Sequence, residues 1–402
     1  MGELPKGRHR TAGAIEAVIQ RLAPLRVLVL GLDIFASTGG IQRVGRQVCK
    51  ALTQDPELFQ IDIFALGDSN DDGDARYLGS GLRRFRGFQR RRLRFAMAVL
   101  GAARRRRYDA CFALHVNLAP VTALVCSLSR HTRSVVFVYG VEVWSPLSPT
   151  RRWALGHADR ILTISQFTME QMLGVGQLAV SMRKRIGIVP LGLDPYMEPD
   201  PAGVVDEDRA GLPKGRILLT VSRMSLADEY KGHIHVIRAL PRVLERAPDV
   251  RYVVVGAGPL IATLSRVARA TGVEDRVIFT GALDDAAVRR LYRQCEIFVM
   301  PSRREGFGLV YIEAMAHGKP VIATTFDAAG EIIHHREAGL LVDPGDVAGL
   351  AEAILELLTD DSLRMKLGAR GREIVEATYR FEHFQSRITD ALMDAVASEG
   401  GG

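Results

Sequence analysis

Short apolar runs rich in β-branched residues alternate along the chain with segments of helical periodicity. In the first half the predicted strands are RVLVLGL (26–32), IDIFAL (61–66), ACFALHV (110–116), SVVFVYG (134–140), RILTIS (160–165) and IGIVPLG (186–192). In the second half they are RILLTVS (216–222), RYVVVGAG (251–258), RVIFTG (276–281), EIFVMPS (296–302), PVIATT (320–325) and AGLLVD (338–343). Most are apolar on both faces, as parallel strands covered by helices must be. Helical segments separate many of them, which reads as repeated βαβ units. A break at PDPAGVVDEDRAGLPKG (199–215) is rich in Pro, Gly and charge, and the strand pattern restarts after it. The expectation is an α/β protein of two Rossmann-like, parallel-sheet domains, residues 1–205 and 206–378, facing each other across a cleft at the C-terminal ends of their strands. A final amphipathic helix within 379–402, YRFEHFQSRITDALMDAV, is expected to pack back on the first domain.

Composition agrees with this picture and charge adds to it. A chain of 402 residues exceeds what one core usually serves, and 47% hydrophobic content excludes a disordered chain. Cys49, Cys111, Cys126 and Cys295 form no CxxC, so neither a disulfide scaffold nor a thiolate metal site is indicated. The opening MGELPKGRHR is polar and no apolar run approaches the roughly 20 residues of a spanning helix, which predicts a cytoplasmic protein or one peripheral to a membrane. Residues 1–210 carry 29 Lys+Arg against 20 Asp+Glu, whereas residues 211–402 carry 24 against 26. Eleven arginines and no acid lie between Arg83 and Arg107.

The candidate chemistry sits at strand ends. In GLDIFASTGGIQRVGRQV (31–48) the Gly39–Gly40 pair precedes a helix, where backbone N–H groups can approach an anion; a turn without a ligand fits the same residues. Neither this loop nor VVVGAGP (253–259) completes GxGxxG or a P-loop. Arg223 and Lys231, in SRMSLADEYKGHIH, leave the first strand of the second domain and offer a fork and a point charge for a diphosphate, though each alone reads as a surface charge. In PSRREGFGLVYIEAMAHGKPVIATT (301–325), Glu305 lies in a glycine-flanked turn and Glu313 on the helix that follows. The amides of Phe307, Gly308 and Leu309 can receive phosphate or sugar oxygens. Glu313, in an otherwise apolar helix, needs a hydroxyl or amide partner.

This segment resembles the E-x7-E region of retaining glycosyltransferases of family 4, with the GT-B fold. The Gly39–Gly40 loop, Arg223 with Lys231, GAGP followed by GVEDRVIFTG, and GLLVDPGD agree in order. YGVEVW (139–144) and GGIQR look most like bacterial polysaccharide-assembly mannosyltransferases. The resemblance implies a nucleotide-sugar donor and no metal or other cofactor. It makes Arg223 and Lys231 the diphosphate clamp, Glu313 the ribose ligand and Glu305 the residue facing the donor sugar. Gly40 would sit close to the diphosphate, and His115 would approach the donor sugar. Where many relatives have Gly-Gly, the sequence has Ala328-Ala329-Gly330-Glu331, preceded by Asp327, whose role the resemblance does not define. Front-face attack by an acceptor hydroxyl, with the departing phosphate taking its proton, suits a turn-borne Glu305 better than a double displacement. GDP-mannose is the implied donor, ahead of UDP-glucose or UDP-N-acetylglucosamine, and the acceptor a glycan or a polyprenyl-diphosphate-linked one.

Other readings give less. Asp72-Gly73-Asp74, within DSNDDGD (68–74), is a DxD in what reads as a solvated loop, and no His pair has a matching ligand set. A non-catalytic sugar-nucleotide binder would not need Glu305, Glu313, Arg223, Lys231 and His115 together, and against an epimerase of the same architecture the EGFGL segment favours a transferase. A nucleic-acid binder is suggested by the arginines alone, without a recognised module. The segment 82–107, LRRFRGFQRRRLRFAMAVLGAARRRR, instead predicts a basic helix resting on an anionic membrane, on the inner face of the cell membrane; a solvated arginine-rich helix whose apolar face packs on its own domain fits the same residues.

Overall fold

The computed structural model describes residues 23–129, 131–174, 178–199 and 214–397. Two compact units emerge, one of residues 1–192 with 381–402, the other of residues 193–380. The first holds a sheet of seven strands: β1 (Leu25–Gly31), β2 (Phe59–Ala65), β3 (Leu82–Gly87), β4 (Ala110–Ala113), β5 (Arg133–Val138), β6 (Arg160–Thr163) and β7 (Ile186–Ile188). Their order is β3-β2-β1-β4-β5-β6-β7, with every neighbour parallel. The second unit holds β8 (Ile217–Val221), β9 (Arg251–Val255), β10 (Val277–Gly281), β11 (Ile297–Val299), β12 (Val321–Thr324) and β13 (Gly339–Val342), ordered β10-β9-β8-β11-β12-β13 and again parallel. The expected architecture of two Rossmann-like parallel-sheet domains is therefore present.

The helices of eight or more residues are α1 (Gly40–Thr53), α2 (Arg92–Arg105), α3 (Ala119–Leu128), α4 (Pro149–Gly156), α5 (Gln166–Gly174), α6 (His233–Arg246), α7 (Leu260–Ala270), α8 (Asp285–Gln294), α9 (Leu309–Ala316), α10 (Val347–Thr359), α11 (Asp361–Ile374) and α12 (Phe381–Ala397). They cover apolar strands such as Val27–Leu30 and Tyr252–Val255, which are buried on both faces. Phe381, Phe384, Ile388 and Leu392 of α12 are buried, and α12 packs on α1, β4 and β5 of its own unit. The expected boundary at 205/206 lies outside the described residues. The units divide earlier, at Gly192/Leu193, because the Leu193 amide bonds the Tyr379 carbonyl (2.6 Å) and Arg289 holds the Tyr196 carbonyl (2.5 Å).

One expectation needs correction. Residues 82–107 are not one helix: Leu82–Gly87 form the edge strand β3, and only Arg92–Arg105 are helical. An edge strand has an exposed side, and LRRFRG puts arginines there instead of apolar residues, so its sequence lacks the apolar run of the central strands. Asn70 and the backbone of Asp68 and Ser69 fix its end: Asn70 Oδ1 accepts from the Gly87 amide (3.0 Å), and a Cβ at Gly87 would fall 2.3 Å from the Asp68 carbonyl oxygen.

In both sheets the strand order reverses between the two central strands, β1 and β4 in one and β8 and β11 in the other. Loops leaving the C-terminal ends of such a pair diverge to opposite sides and leave a crevice, the place where this architecture binds ligands. Gly39–Gly40 follow β1 and His115 follows β4. Arg223 follows β8 and Glu305 follows β11.

Candidate active site

In the second unit the chain leaves β8 through Ser222 and Arg223 and enters a short turn of helix, Leu226–Lys231. Asp228, only 1% exposed, ties this turn to its own start, accepting from Ser225 N (3.2 Å) and Ser225 Oγ (2.5 Å). Its other oxygen receives Arg223 Nη2 at 3.1 Å, so the same carboxylate aims the arginine. Gly232 then turns with φ +83°, and a Cβ there would lie 2.3 Å from the Pro301 carbonyl oxygen. This contact presses the Lys231 turn against the β11 exit. Lys231 Nζ reaches Glu305 there, each side chain largely buried. Burial alone pushes the Lys231 ammonium down, but the Glu305 charge, with Tyr230 and Asp228, outweighs it and holds it above the ordinary lysine value.

A chain of hydrogen bonds runs inward from Ser222 at the β8 exit. Ser222 Oγ meets His233 Nε2 (2.9 Å), His233 Nδ1 meets the Tyr252 hydroxyl (3.1 Å), and that hydroxyl meets Thr220 Oγ1 (2.9 Å). Burial, with the Lys231 charge second, pushes His233 down to about 4, so it stands neutral at pH 7. The GAGP turn closes over the same exit. Gly256 and Gly258 have φ of +142° and +151°, and a Cβ on either would overlap the carbonyls of Ser222 and Met224. Those glycines serve packing.

Glu305 is positioned from elsewhere. Asp327, just past β12, accepts Glu305 N (2.8 Å) with one oxygen and Ala329 N (3.0 Å) with the other. Burial pushes Asp327 up to about 7, against the pull of those two amides. Gly308 opens α9 at φ +96°, where a Cβ would lie 2.2 Å from the Tyr311 ring. The Phe307 ring is buried edge-on to Tyr379 (5.6 Å), so this residue has only its backbone to offer a ligand, while Leu309 is half-buried. Glu313 lies on α9, five residues beyond Gly308. It is 3% exposed and accepts from the Tyr292 hydroxyl at 2.8 Å, the kind of partner its apolar helix required.

In the first unit, Asp68 organises the β1 exit. It is fully buried and accepts the amides of Ile34 (2.9 Å), Phe35 (2.5 Å) and Ala36 (2.9 Å), while Arg46 binds the carbonyls of Ile34 and Ser37. The loop so held ends at Gly39, φ 156°, and α1 begins with no side-chain cap and no acid in its first turn. A Cβ on Gly40 would meet nothing within 4 Å. His115, 8% exposed, accepts Asn117 N on Nδ1 (3.1 Å), and burial, then the Arg151 charge, pushes it down to about 4. It is therefore a neutral imidazole whose proton sits on Nε2.

The segment 68–74 is not simply solvated. Asp68 is the buried loop anchor, Asp72 accepts Ser69 N (2.6 Å), and Asp74 takes Arg76 in a fork at 3.0 and 2.7 Å. Among the described residues no cluster of three or more His, Cys, Asp or Glu is arranged to hold a metal ion. Asp228 was legible as the fourth residue of an S-x-x-D capping box. Asp68, Arg46 and His233 carry no such local signal.

Two family models cover most of the chain: "Glycosyltransferase Family 4" matches residues 38–196 and "Glycosyl transferases group 1" residues 206–374. A GDP-mannose-dependent alpha-(1-6)-phosphatidylinositol monomannoside mannosyltransferase of Mycobacterium tuberculosis is 30% identical over 68% of this chain and 73% of its own length. The chain belongs to glycosyltransferase family 4. A second family relative, the N-acetyl-alpha-D-glucosaminyl L-malate synthase of Bacillus anthracis, is 32% identical over 42% of this chain and 43% of its own. The GT-B fold of the family is matched by Anabaena HepE crystallised with UDP, at TM-score 0.74 and 20% identity over 92% of this chain and all of that one. Sucrose-phosphate synthase from Thermosynechococcus elongatus superposes with TM-score 0.72 at 22% identity, covering 90% of this chain and 96% of its own. The glycosyltransferase family thus accounts for the motif order and for both sheets.

Proposed function

We propose that this glycosyltransferase moves mannose from GDP-mannose, with retention of configuration and without a metal, to a hydroxyl of a glycan or lipid-linked acceptor in polysaccharide or glycolipid assembly. The observation that carries the reading is the convergence of Arg223, Lys231 and Glu305 on the crevice of the second sheet, each held by a buried carboxylate or a close-packed glycine. Two fixed cations at a diphosphate do the electrostatic work otherwise given to a metal, stabilising charge on the leaving nucleotide. Glu305, already paired with Lys231, suits sugar-hydroxyl binding better than nucleophilic attack. The neutral His115 donates from Nε2 to a sugar oxygen. Glu313 and the backbone around Gly308 take the nucleoside end, and Gly40, with open space at its Cα, admits the phosphates. GDP-mannose rests on the mycobacterial relative, whose own name carries that donor.

The acceptor is proposed to lie at an anionic membrane on the inner face. Support comes from α2, which buries Phe95 and Val99 but leaves Leu93 80% and Met97 65% exposed among arginines, beside exposed Leu124 and Leu128 of α3. Among the described residues no helix is long and apolar enough to cross a membrane, so the proposed association is peripheral.

A turnover screen with GDP-mannose, UDP-glucose and UDP-N-acetylglucosamine, repeated in EDTA and followed by NMR of the product anomer, tests the chemistry. No turnover or binding with any nucleotide sugar, an inverted product, or loss of activity in EDTA would each overturn the corresponding part. Co-sedimentation with anionic vesicles, set against binding to duplex DNA, tests the surface. Leu93→Asp with Met97→Asp is expected to abolish vesicle binding while turnover of the donor in solution persists.

A further inference from the structure

The crevice of the first sheet holds a cation that the donor chemistry leaves unused. Helix α4, which follows β5, packs on the short turn Val116–Leu118 directly after His115. Arg151 stands in the first turn of α4. It is half-buried, and its charge reaches His115, where it adds to burial in keeping the imidazole neutral. Its guanidinium has no hydrogen-bond or ion-pair partner among the described residues, and none of its nitrogens is sealed from solvent.

The acids that could neutralise Arg151 are engaged or missing. The first turn of α4 contains no Asp or Glu and has no side-chain cap. Glu142, at the adjacent β5 exit, is turned back on its own loop and accepts the Tyr139 amide. Asp159, beyond the far end of α4, accepts the Ser134 amide (2.8 Å). A guanidinium taken partly out of water without a counter-charge is costly, and a bound anion removes that cost. His115 adds to the selection. Its Nδ1 accepts the Asn117 amide, and Nε2, which carries the proton, is unpartnered among the described residues and not sealed from solvent. The two side chains therefore present donors only, one neutral and one charged. A sugar hydroxyl can accept from either but cannot neutralise the guanidinium. A phosphate can, and its oxygens match the planar fork.

We propose that Arg151 binds a phosphate group carried by the acceptor, near the hydroxyl that receives the sugar, and so favours acceptors bearing that charge. The proposal rests on the glycosyltransferase reading above, in which Arg223 and Lys231 take the donor diphosphate and His115 meets a sugar oxygen.

Calorimetric titration of the full chain with mannose 6-phosphate and with mannose tests it, since the two differ only in the phosphate ester. The ester should bind at least about tenfold tighter, the scale of one charge-assisted hydrogen bond. Arg151→Ala should bring the ester to the affinity of mannose with an unchanged melting temperature. Arg151→Lys should recover part of the loss, because it keeps the charge without the fork. Arg152→Ala, at the exposed neighbouring position, should change nothing, which separates a site from general surface charge. Lys231→Ala should leave the affinity for the ester unchanged, which separates this subsite from the donor clamp. The titration contains no nucleotide, so the two readings fail separately. A chain that ignores GDP-mannose yet tells the ester from mannose through Arg151 loses the proposed donor and keeps the acceptor phosphate; one that turns over GDP-mannose and binds both sugars equally does the reverse. Equal affinity for ester and mannose, no binding of the ester, equal losses in Arg151→Ala and Arg152→Ala, or a loss in Lys231→Ala but not in Arg151→Ala would overturn the proposal.

Discussion

The β1 exit of the first sheet and the β11 exit of the second solve one problem differently. Each is a loop from a central strand to a glycine-opened helix without a side-chain cap, and each is anchored by a buried aspartate just beyond the neighbouring strand, Asp68 after β2 and Asp327 after β12. Asp68 accepts from three amides of the loop and Arg46 donates to two of its carbonyls, so the first loop is tied from both sides. Asp327 receives only two amides and is poised near neutrality. The glycines differ in the opposite sense. Gly308 is forced by the Tyr311 ring and a positive φ, whereas Gly40 stands in open space, free of any packing need for its missing side chain. An anchored loop with an unforced glycine leaves room for a ligand; a loop with a forced glycine presents a fixed charge.

The comparison can be broken by substitution. The largest effect is expected at the fixed charge: Lys231→Ala should lower kcat by at least about a hundredfold, the scale of a lost transition-state electrostatic contact, while circular dichroism stays unchanged. Full activity in that variant would remove the clamp assignment. Asp68→Ala strands the buried Ile34 amide and loosens those of Phe35 and Ala36, and should cost about 1–3 kcal/mol in denaturant unfolding, with no such cost expected if the loop were solvated. Gly308→Ala should cost about 1–3 kcal/mol through strain at positive φ and the Tyr311 clash, lowering stability and activity together. Gly40→Ala should separate them. Helix propensity favours Ala by up to about 1 kcal/mol, so stability should hold or rise while the donor KM increases. An unchanged KM would show that the open space at Gly40 is not used.

The smallest and most selective effect concerns pH. The Asp327 carboxyl is raised from 3.8 to about 7 in the folded chain. The native state therefore binds more protons than the unfolded one between those values, and the stability due to this group falls as pH rises from about 4 to about 7. Loop anchoring runs the other way, since only the carboxylate accepts both amides. The kcat/KM should therefore fall as pH drops through about 7, while the melting temperature does not fall with it. Asp327→Asn should flatten that limb of the profile. A limb that persists in Asp327→Asn would assign it to another group.

The fold was largely legible because the central parallel strands are apolar on both faces, rich in β-branched residues and separated by segments of helical periodicity. The edge strand β3 was hidden because its exposed side takes arginines. Arg223 and Lys231 each read alone as a surface charge, and they and Glu305 were assigned roles through the family resemblance of the segments that carry them. Asp228 could be read from its capping box, whereas Asp68 and His233 act on partners far away in sequence or buried inward of the β8 exit, where no periodicity points. The arginine-rich segment shows the same limit. Its composition announced a cationic surface, but not that Arg83 and Arg106 would meet Arg26 and Asp62 around one recess.

The amino-acid sequence by itself determined the two parallel sheets and the glycine-bearing turns at their strand exits, because these depend on local periodicity and on glycine stereochemistry. Tertiary structure alone decided which carboxylate anchors which loop, that Lys231 pairs with Glu305, that His115 and His233 stand neutral, and that Glu313 meets Tyr292. Those outcomes depend on burial and on distances between residues remote in the chain, and neither quantity exists until the sheets are assembled.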